Sequence, residues 1–154
     1  MLKTKQQNKS DDIDHLRTFT HHGVDVSPGS NGEAVGTCPF CYETKFFINK
    51  KEGLYHCKNP VCDEKGNKYT FLQKFYEDCL VNTKDTKIKS LAKLRNLPEE
   101  SFHNAEVAWD SGNARWLIPI RNRNSSLVNL RIWCPKEKIL KQTASCKGSI
   151  YNLD

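Results

Sequence analysis

Four of the seven cysteines in the chain form two closely spaced pairs. Cys38 and Cys41 are the first and last residues of the sequence CPFC, and Cys57 and Cys62 are the first and last residues of CKNPVC. Structural zinc takes four tetrahedral ligands, thiolates among the commonest, and two tight turns can supply two thiolates each. The segment between the pairs, residues 42–56, is long enough for a β-hairpin and little else. The spacing therefore predicts a zinc ribbon, a small antiparallel sheet with a structural Zn²⁺ at one end.

The identity of one ligand needs a choice between neighbours. His56 precedes Cys57, and adjacent residues of a strand point to opposite faces, so only one of the two can face the metal. The thiolate is the favoured ligand. A site closed by four thiolates has no open coordination position, so the zinc is predicted to be structural and no catalytic residue is predicted.

The remaining three cysteines lack a paired spacing. Cys79 falls on the apolar face of a predicted helix, where a thiol packs as a small apolar group. Cys134 and Cys146 stand alone in the sequence. A second metal site is therefore not expected.

The composition favours a metal over disulfides. Of the 154 residues, 37% are hydrophobic and 27% are charged, so the apolar core is lean. Small domains with little apolar surface often need a metal to hold them together. The sequence contains neither a transmembrane run nor the apolar stretch of a signal peptide, so we expect a cytoplasmic protein with no membrane partner and reduced thiols.

The segments that would position the cysteines are short. Residues 1–10 are polar and are predicted to be a disordered tail. A helix is expected to begin at Ser10 as N-cap, with acidic residues in its first turn, where they favour helix formation. These residues are Asp11, Asp12 and Asp14.

A hairpin and a helix are predicted between the first cysteine pair and a polar linker. The strands are expected at residues 45–49 and 54–56, and the helix at residues 68–81 with Asn67 as its N-cap. The linker NTKDTK places a domain boundary near residue 83. Residues 11–83 are therefore predicted to form the zinc-binding domain.

A second α+β unit is predicted at residues 84–154. IKSLAKLRNL has the pattern of an amphipathic helix that Pro98 ends, and RWLIPI and SLVNLRIW have the pattern of strands joined by the turn RNRNS. Strand alternation places alternate residues of the second strand on opposite faces. One face would carry Val128, Leu130 and Ile132, and the other Asn129, Arg131 and Trp133.

Two surfaces have the character of nucleic-acid contacts. Lys45 and Phe47 are expected to face outward on the hairpin, with Tyr55 on the neighbouring strand, and exposed rings beside lysines suit single-stranded nucleic acid. The alternative is that Phe47 belongs to the core and the lysines only keep the domain solvated. From residue 115 to residue 147 there are eight Lys or Arg and one acid, which suits a polyanion or, alternatively, an ordinary solvated face.

The motifs together resemble the N-terminal zinc-binding domain of bacterial and bacteriophage Toprim-type DNA primases. The phrases CPFC, KFFINKKEGLYHC, KGN and YTFLQKFYED carry this resemblance. It continues through LAKLRNLPEE and ARWLIPIRNRNSSLVNLRIW, which are similar to the start of the primase catalytic region, and through SIYNLD. It covers about residues 11–154. One departure is CKNPVC, whose four intervening residues require a bulged second turn.

The resemblance implies a division of labour. The ribbon would read a short initiation sequence on a single-stranded DNA template, while a basic path carries template or primer. The implied residues of that path are Arg115, Arg121 and Arg131, with Lys136 and Lys141. The acidic Toprim residues that bind Mg²⁺ are not found in the sequence, so RNA primer synthesis, nucleoside triphosphates and the replicative helicase are expected only with the full-length enzyme, in a bacterial or phage-infected cell.

Two other functions fit the same residues. A stand-alone zinc ribbon could bind nucleic acid as a replication or transcription accessory. A zinc-stapled domain could instead bind another protein, in which case binding would not weaken steeply with salt as phosphate contacts do.

Overall fold

The computed structural model describes residues 14–143 and residue 146. These residues form an α+β fold with two antiparallel sheets and four helices. The elements, in chain order, are α1 (Leu16–His21), β1 (Val26–Pro28), β2 (Glu33–Gly36), β3 (Phe46–Asn49), β4 (Tyr55–Cys57), β5 (Lys65–Gly66), α2 (Lys68–Val81), α3 (Asp85–Arg95), α4 (Glu99–Asn104), β6 (Ala108–Asp110), β7 (Arg115–Arg121), β8 (Leu127–Cys134) and β9 (Ile139–Gln142).

The first sheet has five strands in the order β1-β2-β3-β4-β5. The predicted hairpin is present as β3 and β4, each within one residue of its predicted bounds. Strands β1, β2 and β5 were not predicted, because the sequence between α1 and the first cysteine pair has the composition of turns. Each of these strands has only two to four residues. They form by pairing with neighbouring strands, which the sequence of one segment alone does not reveal.

Helix α2 is confirmed at its predicted position. The Asn67 side chain accepts hydrogen bonds from the backbone N–H groups of Tyr69 and Thr70, and the Thr70 hydroxyl lies 2.9 Å from the Asn67 backbone nitrogen, which completes a capping box. Phe71 and Leu72 are buried on one face of the helix. This face covers the hairpin and fixes its position.

Helix α1 begins later than predicted. It starts at Leu16, whose backbone N–H donates to the Asp14 carboxylate over 3.1 Å. Asp14 therefore acts just before the first turn and not inside it. Ser10, Asp11, Asp12 and the tail of residues 1–10 lie outside the described residues.

The second sheet has four strands in the order β6-β7-β8-β9. Strands β7 and β8 match the prediction, while β6, β9 and helix α4 were missed. A register shift near Ile120 and Arg121 leaves Val128 half-buried. Leu130 and Ile132 are buried as expected, but Asn129 on the other face is also fully buried, because its side-chain oxygen accepts the backbone N–H of Thr143.

Helix α2 packs on both sheets. One core cluster contains Phe46 of the first sheet, Phe71 of α2, and Leu117 and Leu130 of the second sheet. The Tyr76 hydroxyl donates to the Glu106 carbonyl over 2.6 Å and adds a polar link across the predicted boundary near residue 83. That boundary stays a prediction.

No helix in the described ranges has both the length and the apolar character needed to span a bilayer.

Candidate metal centre and nucleic-acid face

The sulfurs of the two cysteine pairs converge on one point. The Sγ atoms of Cys38, Cys41, Cys57 and Cys62 all lie within 4.8 Å of one another. Cys38 and Cys62 are 3.9 Å apart, and Cys41 and Cys57 are 3.6 Å apart. A zinc ion with Zn–S distances of ~2.3 Å requires tetrahedral edges of ~3.8 Å. The donor set and its spacing therefore fit a structural zinc ion.

The first turn of the centre is closed by two backbone hydrogen bonds. The Tyr42 N–H donates to the Cys38 carbonyl over 2.9 Å, and the Cys38 N–H donates to the Glu43 carbonyl over 2.8 Å. Together they fold the backbone around the Cys38 sulfur and bring Cys41 to the same side.

The second turn repeats this geometry with a different first residue. The Asp63 N–H donates to the Asn59 carbonyl over 2.8 Å, the same four-residue relation as between Tyr42 and Cys38. Asn59 therefore stands where the first turn has a cysteine, and Cys57 joins from two residues earlier on β4. The Asn59 amide also donates to the Cys41 sulfur over 3.6 Å. This is how the longer spacing of CKNPVC still closes the site.

The environment of the thiols is mixed. The backbone N–H of Glu43, aided by the Asn59 amide, lowers the pKa of Cys41 to about 7. Burial raises the pKa of the Cys38 and Cys62 thiols. A bound cation would remove this difference, because a coordinated thiol is deprotonated outright.

His56 lies outside the centre. Its Nε2 is 2.8 Å from the Asp63 carboxylate, which also accepts from Lys65 over 3.1 Å. His56 and Cys57 point to opposite faces of β4, as strand alternation requires. Among the described residues, no other cysteine joins this cluster.

Tyr42 adopts a strained backbone at the tip of the first turn. Its φ is 63° and its side chain is 80% exposed. For a non-glycine residue the left-handed region costs ~1–2 kcal/mol. Tyr42→Gly is therefore expected to raise the free energy of unfolding of the zinc-loaded protein by ~1 kcal/mol.

Urea unfolding measures this change, and Tyr42→Ala is the matched control, because alanine removes the ring but keeps the strain. An equal gain in both variants would show that the strain is not the cause.

The outer face of the first sheet carries a continuous cross-strand row. Phe47 pairs with Val35 on one side and with His56 on the other, and His56 pairs with Lys65. Phe47 is half-buried because the Lys58 ammonium lies 3.7 Å from its ring centroid. We call this surface the ribbon face; it consists of Val35, Lys45, Phe47, His56, Lys58 and Lys65.

Sequence reasoning placed Lys45 and Phe47 on the ribbon face but missed His56 and Lys58. Strand alternation could have indicated them, because His56 and Lys58 are two residues apart and therefore share a face.

The expectation that Tyr55 lies on a nucleic-acid-binding face is wrong. Tyr55 is only 4% exposed, and its ring centroid lies 5.2 Å from that of Phe46 and 5.8 Å from that of Phe71. It pairs with Ile48, so it shares the inward face of the sheet. Burial raises the pKa of Tyr55 to about 12.

The expectation that Arg115 lines an exposed basic path is also wrong. Arg115 is 8% exposed; its Nε donates to the Asp110 carboxylate over 3.0 Å and its Nη2 to His22 Nδ1 over 3.0 Å. These partners bury the guanidinium between α1 and the second sheet.

The other predicted cations have different environments. Arg121 forms a 2.8 Å ion pair with Glu106 on a half-exposed surface, and Lys141 pairs with Glu137 over 3.2 Å. Arg131 is half-buried and Lys136 is exposed. Their contacts with nucleic acid stay predictions.

Comparison with known proteins gives structural similarity without a sequence match. No protein family matches the sequence, and no curated protein matches it. A crystal structure of the Aquifex aeolicus primase, comprising its zinc-binding and RNA polymerase domains, resembles the chain with a TM-score of 0.36 and 10% sequence identity. The match covers 89% of this chain and 53% of that chain, so the chain spans about half the length of the primase structure.

Proposed function

We propose that the chain recognises a single-stranded DNA template through a zinc-stapled ribbon, as the N-terminal part of a DNA primase. The observation that carries this proposal is the convergence of four cysteine sulfurs at the open end of a hairpin whose outer face presents Phe47 among lysines. The resemblance of the sequence motifs to those of Toprim-type primases supplies the link to primer synthesis.

The zinc would act as a staple and take no part in chemistry. Cys38 and Cys41 precede β3, whereas Cys57 ends β4 and Cys62 follows it, so one ion held by all four would tie both ends of the hairpin. Four thiolates fill its coordination sphere. The stiffness of the hairpin is what keeps the ribbon face in a fixed arrangement.

Phe47 is the stacking residue in this proposal. Its ring lies on the ribbon face beneath the Lys58 ammonium. When a base stacks on the ring, Lys58 moves aside to a phosphate, so that both partners keep a favourable contact.

The charge around Phe47 favours phosphate. Among the described residues, no ion pair is found for Lys45 or Lys58, whereas the Asp63 carboxylate is paired with both His56 and Lys65. The Asp63 charge is therefore compensated, and Glu33 lies on the same face at the Val35 end of the row. The surface presents positive charge next to a ring, as single-strand binding requires.

Primer synthesis would need further components. In the full-length enzyme that the motifs imply, Toprim carboxylates and Mg²⁺ would join nucleoside triphosphates, and a replicative helicase would deliver the template. The ribbon would contribute binding of the template.

Phe47→Ala is expected to weaken binding of single-stranded DNA by ~1–3 kcal/mol, the loss of one stacked base. Fluorescence anisotropy of a labelled oligonucleotide measures the affinity, and metal analysis checks that the zinc content is unchanged.

Val35→Ala is the matched control, because Val35 pairs with Phe47 on the same face and has no aromatic ring; its affinity should stay near that of the wild type. An unchanged affinity of Phe47→Ala would instead assign Phe47 to packing, and an affinity insensitive to salt would favour a protein-binding role.

A further inference from the structure

All three tryptophans of the chain lie in one row on the second sheet. Trp109 of β6 pairs with Trp116 of β7, Trp116 pairs with Trp133 of β8, and Trp133 pairs with Leu140 of β9. This row faces α3 and α4. The opposite face of the same sheet packs against α2 in the main core. We call the row that faces α3 and α4 the tryptophan row.

The two helices cover only part of the tryptophan row. Trp116 is 5% exposed under Leu91 of α3, whereas Leu140 at the far end is 51% exposed. A cavity of about 220 Å³ lies between Trp116 and Leu140. Its walls include three aromatic rings, those of Phe102, Trp116 and Trp133.

Two arginines flank this aromatic cavity. The Arg95 guanidinium lies 4.5 Å from the Trp133 ring centroid, and Arg131 lines the same cavity. No ion pair of either arginine is found in the part of the chain that the structure describes. Two guanidinium groups without a carboxylate, beside an apolar slot, select a planar apolar group that carries an anion.

We propose that this cavity holds one base of a single DNA strand, stacked on Trp133, while Arg95 and Arg131 bind the adjoining phosphate. The proposal rests on the proposed function, because the strand is the template that the ribbon face also contacts. The cavity is smaller than the ~300–1,000 Å³ typical of drug-sized ligands, which suits a single base.

Helix α3 favours a strand over a free nucleotide. It carries Lys87, Lys89, Lys93 and Arg95 against the single acid Asp85. Lys89 and Lys93 are exposed, and the Lys87 ammonium lies 4.1 Å from the Trp109 ring centroid. Positive charge distributed along α3 attracts the several phosphates of a continuing strand, which a mononucleotide lacks.

Tryptophan emission reports this site separately from the ribbon face, which contains no tryptophan. The full zinc-loaded chain is titrated at low ionic strength with oligodeoxythymidylate of about twelve nucleotides, within the range of single-strand site sizes. We expect saturable quenching, because a base stacked on an indole quenches it. Phe47→Ala should weaken overall binding but leave the quenching at saturation.

Two pairs of variants locate the quenching. Trp133→Phe should remove most of the quenching. Trp109→Phe should retain it, because the Trp109 ring lies under Lys87, away from the cavity. Arg131→Gln should weaken the binding that causes quenching by at least about tenfold, as expected for a lost charge-assisted hydrogen bond. Lys51→Gln removes one charge in the same way from the exposed turn between β3 and β4, outside the cavity and the ribbon face, and should bind within about twofold of the wild type.

The competing outcomes are separate. Absence of quenching while anisotropy still shows Phe47-dependent binding overturns this site and leaves the ribbon proposal standing. Quenching that persists when Phe47→Ala binds like the wild type supports this site and overturns the ribbon proposal. Equal quenching by an abasic oligomer, or by thymidine monophosphate at the same affinity as the oligomer, overturns a cavity for one base of a strand.

Discussion

Removing the metal is expected to unfold the first sheet. Its five strands contain two to four residues each, too few to be stable without a staple. Zinc binding by such sites provides ~10–16 kcal/mol that is coupled to folding. A strong chelator, or Cys57→Ser, should therefore abolish the strand signal in far-ultraviolet circular dichroism and the cooperative melting of this part.

Cys134→Ser is the matched control for that experiment, because Cys134 lies on β8 outside the cluster. It should bind zinc and respond to chelator as the wild type does. A melting curve that is unchanged after complete removal of the metal would show that the apolar core alone holds the ribbon.

Loss of the buried guanidinium of Arg115 is expected to be strongly destabilising. Arg115→Ala leaves the Asp110 carboxylate, which is 3% exposed, with only the donors of Asn113. Breaking a buried ion pair by removing one partner costs ~3–5 kcal/mol. Urea denaturation should show a loss of that size.

His22 adds to this cost. Its pKa is held well below the usual value by burial and then by the neighbouring Arg115 charge, so the ring is neutral. Because arginine can only donate, His22 Nδ1 accepts from it and the Nε2–H donates to the Thr143 hydroxyl over 2.9 Å. Arg115→Ala leaves the buried His22 Nδ1 without its hydrogen-bond donor.

Arg121→Ala is the control on the same strand. Arg121 also pairs with a carboxylate, that of Glu106, but both side chains are partly exposed. Exposed pairs contribute ~0–1 kcal/mol. If the two variants lost equal stability, burial of the Arg115 cluster would not be the cause.

The parts of the fold that could be predicted are those with a signal inside one segment. The spacing of Cys38, Cys41, Cys57 and Cys62 is such a signal, and so are the Asn67 cap and the apolar face of α2. The short strands β1, β5 and β6 have no pattern of their own and exist through pairing. Helix α4, with the sequence EESFHN and no buried residue, likewise has no apolar stripe to reveal it.

The errors in the candidate site have two physical origins. Tyr55 was assigned outward although it shares the face of Ile48, its partner in the register, and the register is not visible in one strand. Arg115 was assigned to the surface because its partners are remote in sequence, His22 above all. The tryptophan row depends on three registers at once and could not be predicted from the sequence.

Four thiolates are expected to hold one zinc ion and so to fix the ribbon face. Metal analysis of the purified chain combined with X-ray absorption at the zinc edge tests it most directly. We expect one zinc per chain with four sulfur neighbours at ~2.3 Å. A chain that folds without bound metal, or a zinc shell containing nitrogen or oxygen ligands, would contradict it.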